Sequence, residues 1–245
     1  MSPPLPRASA QPLKVLRKAL LIIFSLLLAY LVVVALWSWA AVDEIMASNP
    51  AKPAAPSLSA SQTAILLKIE DPTFLTHSGL SLADGQGFTT ISSSVARDIF
   101  LFGADLDGVK GGFQRFYRGV FACCKKVDIG RDMMALVLNA KVSKQEQLSR
   151  YVSNVYMGTH QGGQIRGLAQ ASNSYFGKAL DTLTDSEFAG LVAMIKAPNQ
   201  FHPMTSRAAY DLRAARVMAI ISGQCKPNGW FDTAYQHCAT HPQAD

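Results

Sequence analysis

Residues 184–198, TDSEFAGLVAMIKAP, contain a complete set of helix signals. Thr184 and Glu187 match the capping box, in which two side chains bond each other's backbone N–H groups at a helix start. Apolar residues then follow at a spacing of three to four, which is typical of one face of a helix. Pro198 ends the helix, since proline lacks an N–H and clashes with the preceding turn. The stretch therefore predicts one short helix of a helical domain.

The same signals recur on both sides of this stretch. Four further segments carry a cap or an apolar repeat of helical spacing: Lys144–Met157 after Ser143, the segment from Ser206 to Gly223, residues 129–142 and residues 163–176. Alternating strand patterns are almost absent. We therefore predict an all-α, or strongly α-dominated, domain over residues 62–223.

A membrane helix is predicted from residues 19–41, a run of 23 residues (41 − 19 + 1) with no charge and no proline. At about 1.5 Å per residue it is about 35 Å long, enough to cross a hydrocarbon core of about 30 Å. Basic residues before it, and Asp43 and Glu44 after it, predict that residues 1–18 stay in the cytoplasm and that the rest is exported. A cleaved signal peptide is the alternative, but its apolar segment is only about 7–15 residues long.

The flanking segments have compositions of their own. Residues 42–61 are rich in Ala, Pro and Ser, which is typical of a stiff spacer. Residues 224–245 are predicted to be a tail, in which Cys225 and Cys238 can close a small loop in an oxidising compartment. Adjacent Cys123 and Cys124 are predicted to be small buried hydrophobes, and no Cys/His spacing suits zinc.

The charge balance excludes nucleic acid as a partner. The chain has 23 Lys and Arg against 17 Asp and Glu, and four of the bases precede the apolar run. The exported part therefore carries 23 − 4 − 17 = +2. Nucleic-acid binding needs a clustered basic face, whereas an anionic membrane-bound substrate is compatible with a mild positive balance.

Glu70 and Asp71 form a pair of carboxylates shortly after the apolar residues 65–67. Pro72 follows them and stops the helix. Burial and a like-charged neighbour both raise a carboxyl pKa, which suits a general base. The plain alternative is a solvated helix end with a core Phe74 and a structural His77, and spacing alone favours that alternative.

Residues 85–98, GQGFTTISSSVARD, predict an anion site. Glycines before a hydroxyl-rich helix start offer backbone N–H groups at the positive end of the helix dipole, and Arg97 adds a fixed charge. This combination fits a phosphate or pyrophosphate, although ordinary helices also begin with such residues.

Together these stretches resemble glycosyltransferase family 51, the peptidoglycan glycosyltransferases. The first motif of that family, E-D-x-x-F-x-x-H-x-G, is matched in full by Glu70, Asp71, Phe74, His77 and Gly79. The second, G-G-S-T-I-T-Q-Q-L-x-K-N, is similar to residues 87–98, with Arg97 in place of lysine and Asp98 in place of asparagine. The fourth, K-x-x-I-L-E-x-Y-L-N, is similar to residues 144–153, and the fifth, R-x-x-x-V-L, to residues 213–218.

The resemblance implies a lysozyme-like α-helical fold and transfer of a glycan chain from undecaprenyl pyrophosphate to the 4-hydroxyl of lipid II. It implies Glu70 as the general base, with Asp71 beside it. The substrate-binding residues that it implies are His77, Thr89, Thr90, Ser92, Arg97, Lys144, Arg150 and Tyr151. A divalent cation, Mg or Mn, bridging the phosphates is a further expectation, as are partners among other cell-wall synthesis proteins.

The family's third motif, R-K-x-x-E, which supplies a second catalytic glutamate, has no match. Its usual distance from Lys144 falls on Arg131, and an alternative alignment falls on residues 115–119. We therefore expect Asp132 or Asp128 to replace the missing acid.

Two questions stay open at this stage. Aromatic and basic residues between Phe100 and Lys126 predict either a surface that dips into lipid headgroups or a plain core.

The missing acid leaves two alternatives to a polymerising enzyme. One is an accessory protein that binds lipid II or glycan, and the other is a lytic transglycosylase or muramidase, which can work with a single glutamate.

Overall fold

A computed structural model describes residues 11–49, 57–121 and 128–238, with side chains from residue 14 onward. Within these ranges the chain forms nine α-helices and one two-stranded antiparallel sheet. The helices are α1 (Gln11–Ser48), α2 (Ala60–Glu70), α3 (Ile91–Leu101), α4 (Gly108–Phe121), α5 (Ile129–Lys141), α6 (Lys144–Asn154), α7 (Leu168–Phe176), α8 (Asp185–Met194) and α9 (Arg207–Ile221). The strands are β1 (Tyr156–His160) and β2 (Gly163–Arg166). The α-dominated fold predicted from the sequence is confirmed.

Local hydrogen bonds set the helix starts. Thr184 and Glu187 form the predicted capping box of α8. Two further boxes begin α2 at Ser59 and α3 at Thr90. In each box the cap hydroxyl accepts a backbone N–H that would otherwise lack a partner in the first turn. Ser206 precedes α9, but its side chain makes no capping bond.

The sequence prediction was wrong around the β-hairpin. α6 ends at Asn154 rather than Met157, and residues 163–166 form a strand rather than the start of a helix. Gln161 and Gly162 both have positive φ angles, 49° and 80°, and reverse the chain in a two-residue turn. Strands this short contain too few alternations to show a period of two in the sequence.

The core centres on α8, whose side chains Phe188, Leu191 and Ala193 are fully buried. α8 packs against α2 and α9, and α3 packs against α5 and α6. Glu70, the last residue of α2, bonds to Tyr151 of α6 and so lies where the group of α2, α8 and α9 meets the group of α3, α5 and α6.

The apolar run predicted to cross a membrane lies in α1. Within the described residues, α1 is the helix that is long and apolar enough to span a bilayer. Its side chains from Lys14 to Ala29 are exposed, whereas Val34 and Ala41 are fully buried against the domain. α1 therefore has an exposed half and a half that belongs to the core.

The helix extends into the predicted spacer. Residues 42–48 continue α1, because Val42 and Ile45 follow the buried positions at helical spacing and are themselves fully buried. Trp37 Nε1–H donates to the carbonyl of Lys110 over 3.1 Å and so joins α1 to α4. Residues 50–56, the proline-rich part of the predicted spacer, lie outside the described ranges.

The predicted C-terminal tail returns to the domain. Cys225 and Cys238, the pair singled out in the sequence, form a disulfide. We call residues 225–238 the disulfide loop. The prediction made for Cys123 and Cys124 falls on residues outside the described ranges.

Candidate active site

Glu70 lies in the wall of a cavity of about 690 Å³, which we call the Glu70 cavity. The other predicted site residues in this wall are Thr89, Thr90, Arg97 and Tyr151. The wall also contains polar residues to which sequence reasoning gave no role: Asp98, Arg166, Lys196, Arg213, Thr233 and Tyr235. The structure therefore brings together about half of the predicted site and adds a second set of charged groups.

Glu70 is half-buried at the end of α2, where Pro72 prevents the helix from continuing. Tyr151 donates its hydroxyl hydrogen to Glu70 Oε2 over 3.0 Å. Burial raises the pKa of Glu70, and it outweighs the opposing effects of the Tyr151 hydrogen bond and of the cations Arg213 and Lys196. A raised pKa brings a carboxyl closer to the range in which a general base works near neutral pH.

Asp71 points into the protein rather than into the Glu70 cavity. It is fully buried, and its carboxylate accepts the backbone N–H of Ile91 over 2.9 Å. His77 Nε2 lies 3.0 Å from the same carboxylate, and His77 Nδ1 accepts the N–H of Gly79 over 2.8 Å. Burial raises the pKa of Asp71, and the bonds from His77 and Ile91 oppose that rise. These contacts tie the loop after α2 to the first turn of α3.

Thr90 connects the same loop to α3 from the other side. Its hydroxyl accepts the N–H of Ser93 over 3.0 Å and donates to the carbonyl of Gly79 over 2.7 Å. Gly79 has φ 126°, and a Cβ there would lie 2.8 Å from the carbonyl oxygen of Ala135 in α5. The glycine of the first motif is therefore required by the close approach of this loop to α5.

Four predicted binding residues lie outside the Glu70 cavity: Ser92, Lys144 and His77, and also Arg150, which is described below. Ser92 is fully buried and donates to Gln147 Oε1 over 2.7 Å. Lys144 Nζ lies 4.5 Å from the centre of the Phe74 ring, and burial lowers its pKa. The contacts of His77 are described above.

Arg150 lines a second cavity, of about 580 Å³, between α1, α3 and α6. It donates to the carbonyl of Asn49 over 2.8 Å and forms an ion pair with Glu146. The two cavities share Asp98, Phe102 and Arg166, so they are neighbouring parts of one depression.

Neither aspartate predicted as the second acid lines the Glu70 cavity. Asp128 caps α5 by accepting the N–H of Arg131 over 3.0 Å and also accepts the hydroxyl hydrogen of Tyr117 over 2.8 Å. Asp132 forms an ion pair with Arg131 at 2.8 Å, and burial raises its pKa. Arg131 itself is buried and donates to the carbonyl of Phe88 at the cavity rim, over 3.3 Å.

The acid that does share the cavity with Glu70 is Asp98. Burial raises its pKa to about 6, and Arg166 and Arg97 oppose that rise. A sequence signal for this residue existed: Thr90, Ser94 and Arg97–Asp98 follow one another at three-to-four spacing, so all of them lie on the cavity face of α3.

The charges of the Glu70 cavity favour an anion. Four basic side chains in the wall, Arg97, Arg166, Lys196 and Arg213, face two acids, Glu70 and Asp98, which leaves 4 − 2 = +2. Arg213 is buried, and its Nε and Nη1 have no hydrogen-bond partner among the described residues. Buried donors without a partner are costly, and an anionic ligand would satisfy them.

A divalent cation fits this donor set less well, since the basic side chains outnumber the carboxylates. Cys225, His237 and Cys238 also have donor atoms within 4.8 Å of one another. Their two sulfur atoms are bonded to each other and so do not act as thiolate ligands.

Residues 128–222 match the family model described as "Transglycosylase". The chain is 30% identical over 153 residues to penicillin-binding protein 1B of Vibrio cholerae and 29% identical over 141 residues to that of Escherichia coli. It is 30% identical over 152 residues to penicillin-binding protein 1B of Buchnera aphidicola. These alignments cover 57%, 56% and 56% of this chain, but only 17%, 16% and 18% of the relatives, so the chain spans less than a fifth of their length. Together with the helical fold and the complete first motif, these matches support the chain as a member of the transglycosylase family, glycosyltransferase family 51.

Proposed function

We propose that this protein is a membrane-anchored peptidoglycan glycosyltransferase that polymerises lipid II and releases undecaprenyl pyrophosphate. One observation carries the proposal: Glu70 accepts a hydrogen bond from Tyr151 inside a cavity whose remaining charges are mostly basic. A base and an anion site are the two elements that this reaction needs.

In the proposed reaction, Glu70 takes the proton of the acceptor 4-hydroxyl as its oxygen bonds to the anomeric carbon of the donor. The bond from that carbon to the phosphate oxygen breaks, and its electron pair leaves with the pyrophosphate. Arg97, Arg166 and Arg213 hold that anion. A positioned general base contributes typically about 10²–10⁴ to the rate. No step of the proposed reaction uses a metal ion.

The membrane part of the proposal is that residues 1–18 lie in the cytoplasm and the helical domain lies on the opposite face. Tyr30, in the apolar run of α1, has its hydroxyl 3.1 Å from that of Tyr117 in α4. α4 therefore lies against a part of α1 that is expected to be in the bilayer. The α4 side chains Phe116 and Val120 are exposed, and the proposal is that they face lipid. The aromatic residues around α4 therefore belong to two groups. Phe116 is on the surface proposed to face lipid, whereas Phe100 and Tyr117 are buried in the core.

The test is incubation of the full-length protein, in detergent, with labelled lipid II. We expect polymer from the wild type and none from Glu70→Gln, which keeps the size of the side chain but not its basicity. The matched control is Glu44→Gln, an exposed glutamate on α1. Because only the ionised carboxylate accepts a proton, the wild-type rate should fall as the pH drops through the raised pKa of Glu70. Polymerisation by Glu70→Gln at the wild-type rate would remove Glu70 from the mechanism.

The same assay separates the two alternatives when preformed glycan is added in a parallel reaction. Cleavage of glycan without polymer would identify a lytic enzyme. Binding of lipid II with neither product would identify an accessory protein. The accessory protein has to be tested because the family's third motif, which supplies a second glutamate, has no match around Arg131.

A further inference from the structure

The disulfide loop forms one side of the Glu70 cavity. Thr233 and Tyr235 of this loop are in the cavity wall. The loop lies beyond residue 222, where the match to the family model ends.

The loop is bound to the segment that precedes α3. Gly85 donates its N–H to the carbonyl of Gly229 over 3.0 Å, and Gly87 donates to the carbonyl of Trp230 over 2.9 Å. A Cβ at Gly87, whose φ is 69°, would lie 2.9 Å from the methyl group of Thr233. The two segments therefore fit together so closely that displacement of the loop disturbs the anion site.

Tyr235 reaches from the loop to the backbone beside Glu70. It is 2% exposed, and its hydroxyl donates to the carbonyl of Ile69, the residue before Glu70, over 3.4 Å. The Arg213 guanidinium lies 4.7 Å from the centre of the Tyr235 ring. This cation–π contact holds Arg213 where its charge acts on Glu70.

We infer that Tyr235 is a positioning residue for this site and that the Cys225–Cys238 disulfide holds it in place, so that reduction of the disulfide impairs the enzyme. The part of this inference that concerns catalysis rests on the proposed function. Dithiothreitol supplies the two electrons: it is oxidised to its cyclic disulfide, and Cys225 and Cys238 become thiols.

Release of the loop should change the ionisation of Glu70 in a defined direction. Burial is the largest cause of its raised pKa, and the loop is part of the material that buries it. Release also loosens Arg213, whose charge lowers this pKa, but burial is the larger cause, so water that enters after release lowers the pKa of Glu70 toward that of an ordinary carboxyl group.

The experiment uses the full-length protein with Cys123→Ser and Cys124→Ser, so that dithiothreitol acts on one defined disulfide. The variants Tyr235→Ala and Tyr235→Phe are made in the same background. The first readout is kcat and KM for lipid II. The second is the pH dependence of carbodiimide labelling at Glu70, measured by peptide mass spectrometry, since carbodiimide reacts with the protonated carboxyl group.

Reduction and Tyr235→Ala should each lower kcat/KM by about tenfold or more, an effect of about 1.4 kcal/mol, and should move the midpoint of Glu70 labelling to lower pH. Tyr235→Phe keeps the ring against Arg213 and should resemble the parent in both readouts. An unchanged midpoint and rate after reduction, or equal effects of Tyr235→Phe and Tyr235→Ala, would overturn the inference.

The labelling readout needs no activity. If the parent protein makes no polymer, the proposed function fails, while the labelling midpoint still decides whether the loop controls Glu70. The comparison between reduced and oxidised parent needs no new variant in the loop, so poor folding of Tyr235→Ala does not prevent a decision.

Discussion

Burial of the Asp98 side chain lowers the stability of the folded protein above about pH 6. Burial raises its pKa from 3.8 to about 6, so between these pH values the folded protein holds a proton that the unfolded chain has released. Stability therefore falls as the pH rises through this window, and the loss persists at higher pH. It amounts to at most about 3 kcal/mol at 1.36 kcal/mol per pKa unit, and less because the side chain keeps some contact with solvent.

Asp98→Asn should therefore be more stable than the wild type above pH 6 and similar to it near pH 4, the two ends of the window set by this pKa shift. Thermal unfolding in detergent at both pH values measures the difference. The control is Asp107→Asn, which changes an exposed acid. Equal stabilities of Asp98→Asn and the wild type at both pH values would contradict the argument that burial of Asp98 lowers stability.

An acid retained in the cavity despite this penalty is a candidate for the second functional carboxylate. Asp98→Asn should therefore also polymerise lipid II more slowly than the wild type.

Sequence reasoning selected Glu70 and passed over Asp98, the other acid of the cavity, for a physical reason. Glu70 lies in a complete motif, next to a proline that fixes its position at a helix end. Asp98 lies within a helix, and its surroundings depend on Arg166 of β2 and on the cavity that both residues line. Spacing predicts which face of α3 carries Asp98, but not which distant residues that face meets.

The N-terminus of α3 is the element on which the site depends most, because it fixes the loop after α2 and supplies cavity residues. Thr90→Ala removes the cap, which is worth about 0.5–2 kcal/mol, and leaves the buried Gly79 carbonyl without its donor. We expect a loss of about 2 kcal/mol in the free energy of unfolding, which combines both effects.

Thr90→Ser is the matched control, since it keeps the hydroxyl group and should lose less than about 1 kcal/mol. Thermal unfolding of both variants measures the effect. If both variants lost the same stability, the methyl group rather than the hydroxyl would stabilise this helix start.

The helices with clear caps could be predicted, and the neighbours of their side chains could not. The capping box of α8 was correct to the residue. Ser92 and Lys144 were expected to bind substrate; Ser92 is buried beside Gln147, and half-buried Lys144 lies against the ring of Phe74. A motif fixes residue types and spacing, whereas the exposure of each side chain depends on tertiary packing.

For the molecule as a whole, the long helix α1 is part of the folded domain as well as the predicted membrane anchor. Ile45 is fully buried against the domain, whereas Leu36 in the same helix is 66% exposed. Ile45→Ala should therefore destabilise the domain by about 2–5 kcal/mol, the range for removal of a buried aliphatic side chain. Leu36→Ala, the matched control, should leave the melting temperature in detergent nearly unchanged. Similar melting temperatures of the two variants would show that α1 does not stabilise the domain.

The unbroken course of α1 from its exposed half into the core also has a mechanical consequence. A domain on a flexible tether would tumble and sample many heights above a bilayer, whereas this domain turns and drifts only together with its helix. In a membrane, the mouth of the Glu70 cavity would keep a constant elevation and tilt. The lipid-borne substrate proposed above would then reach the cavity by lateral diffusion in two dimensions, and the cavity would not spend time facing away from the membrane surface.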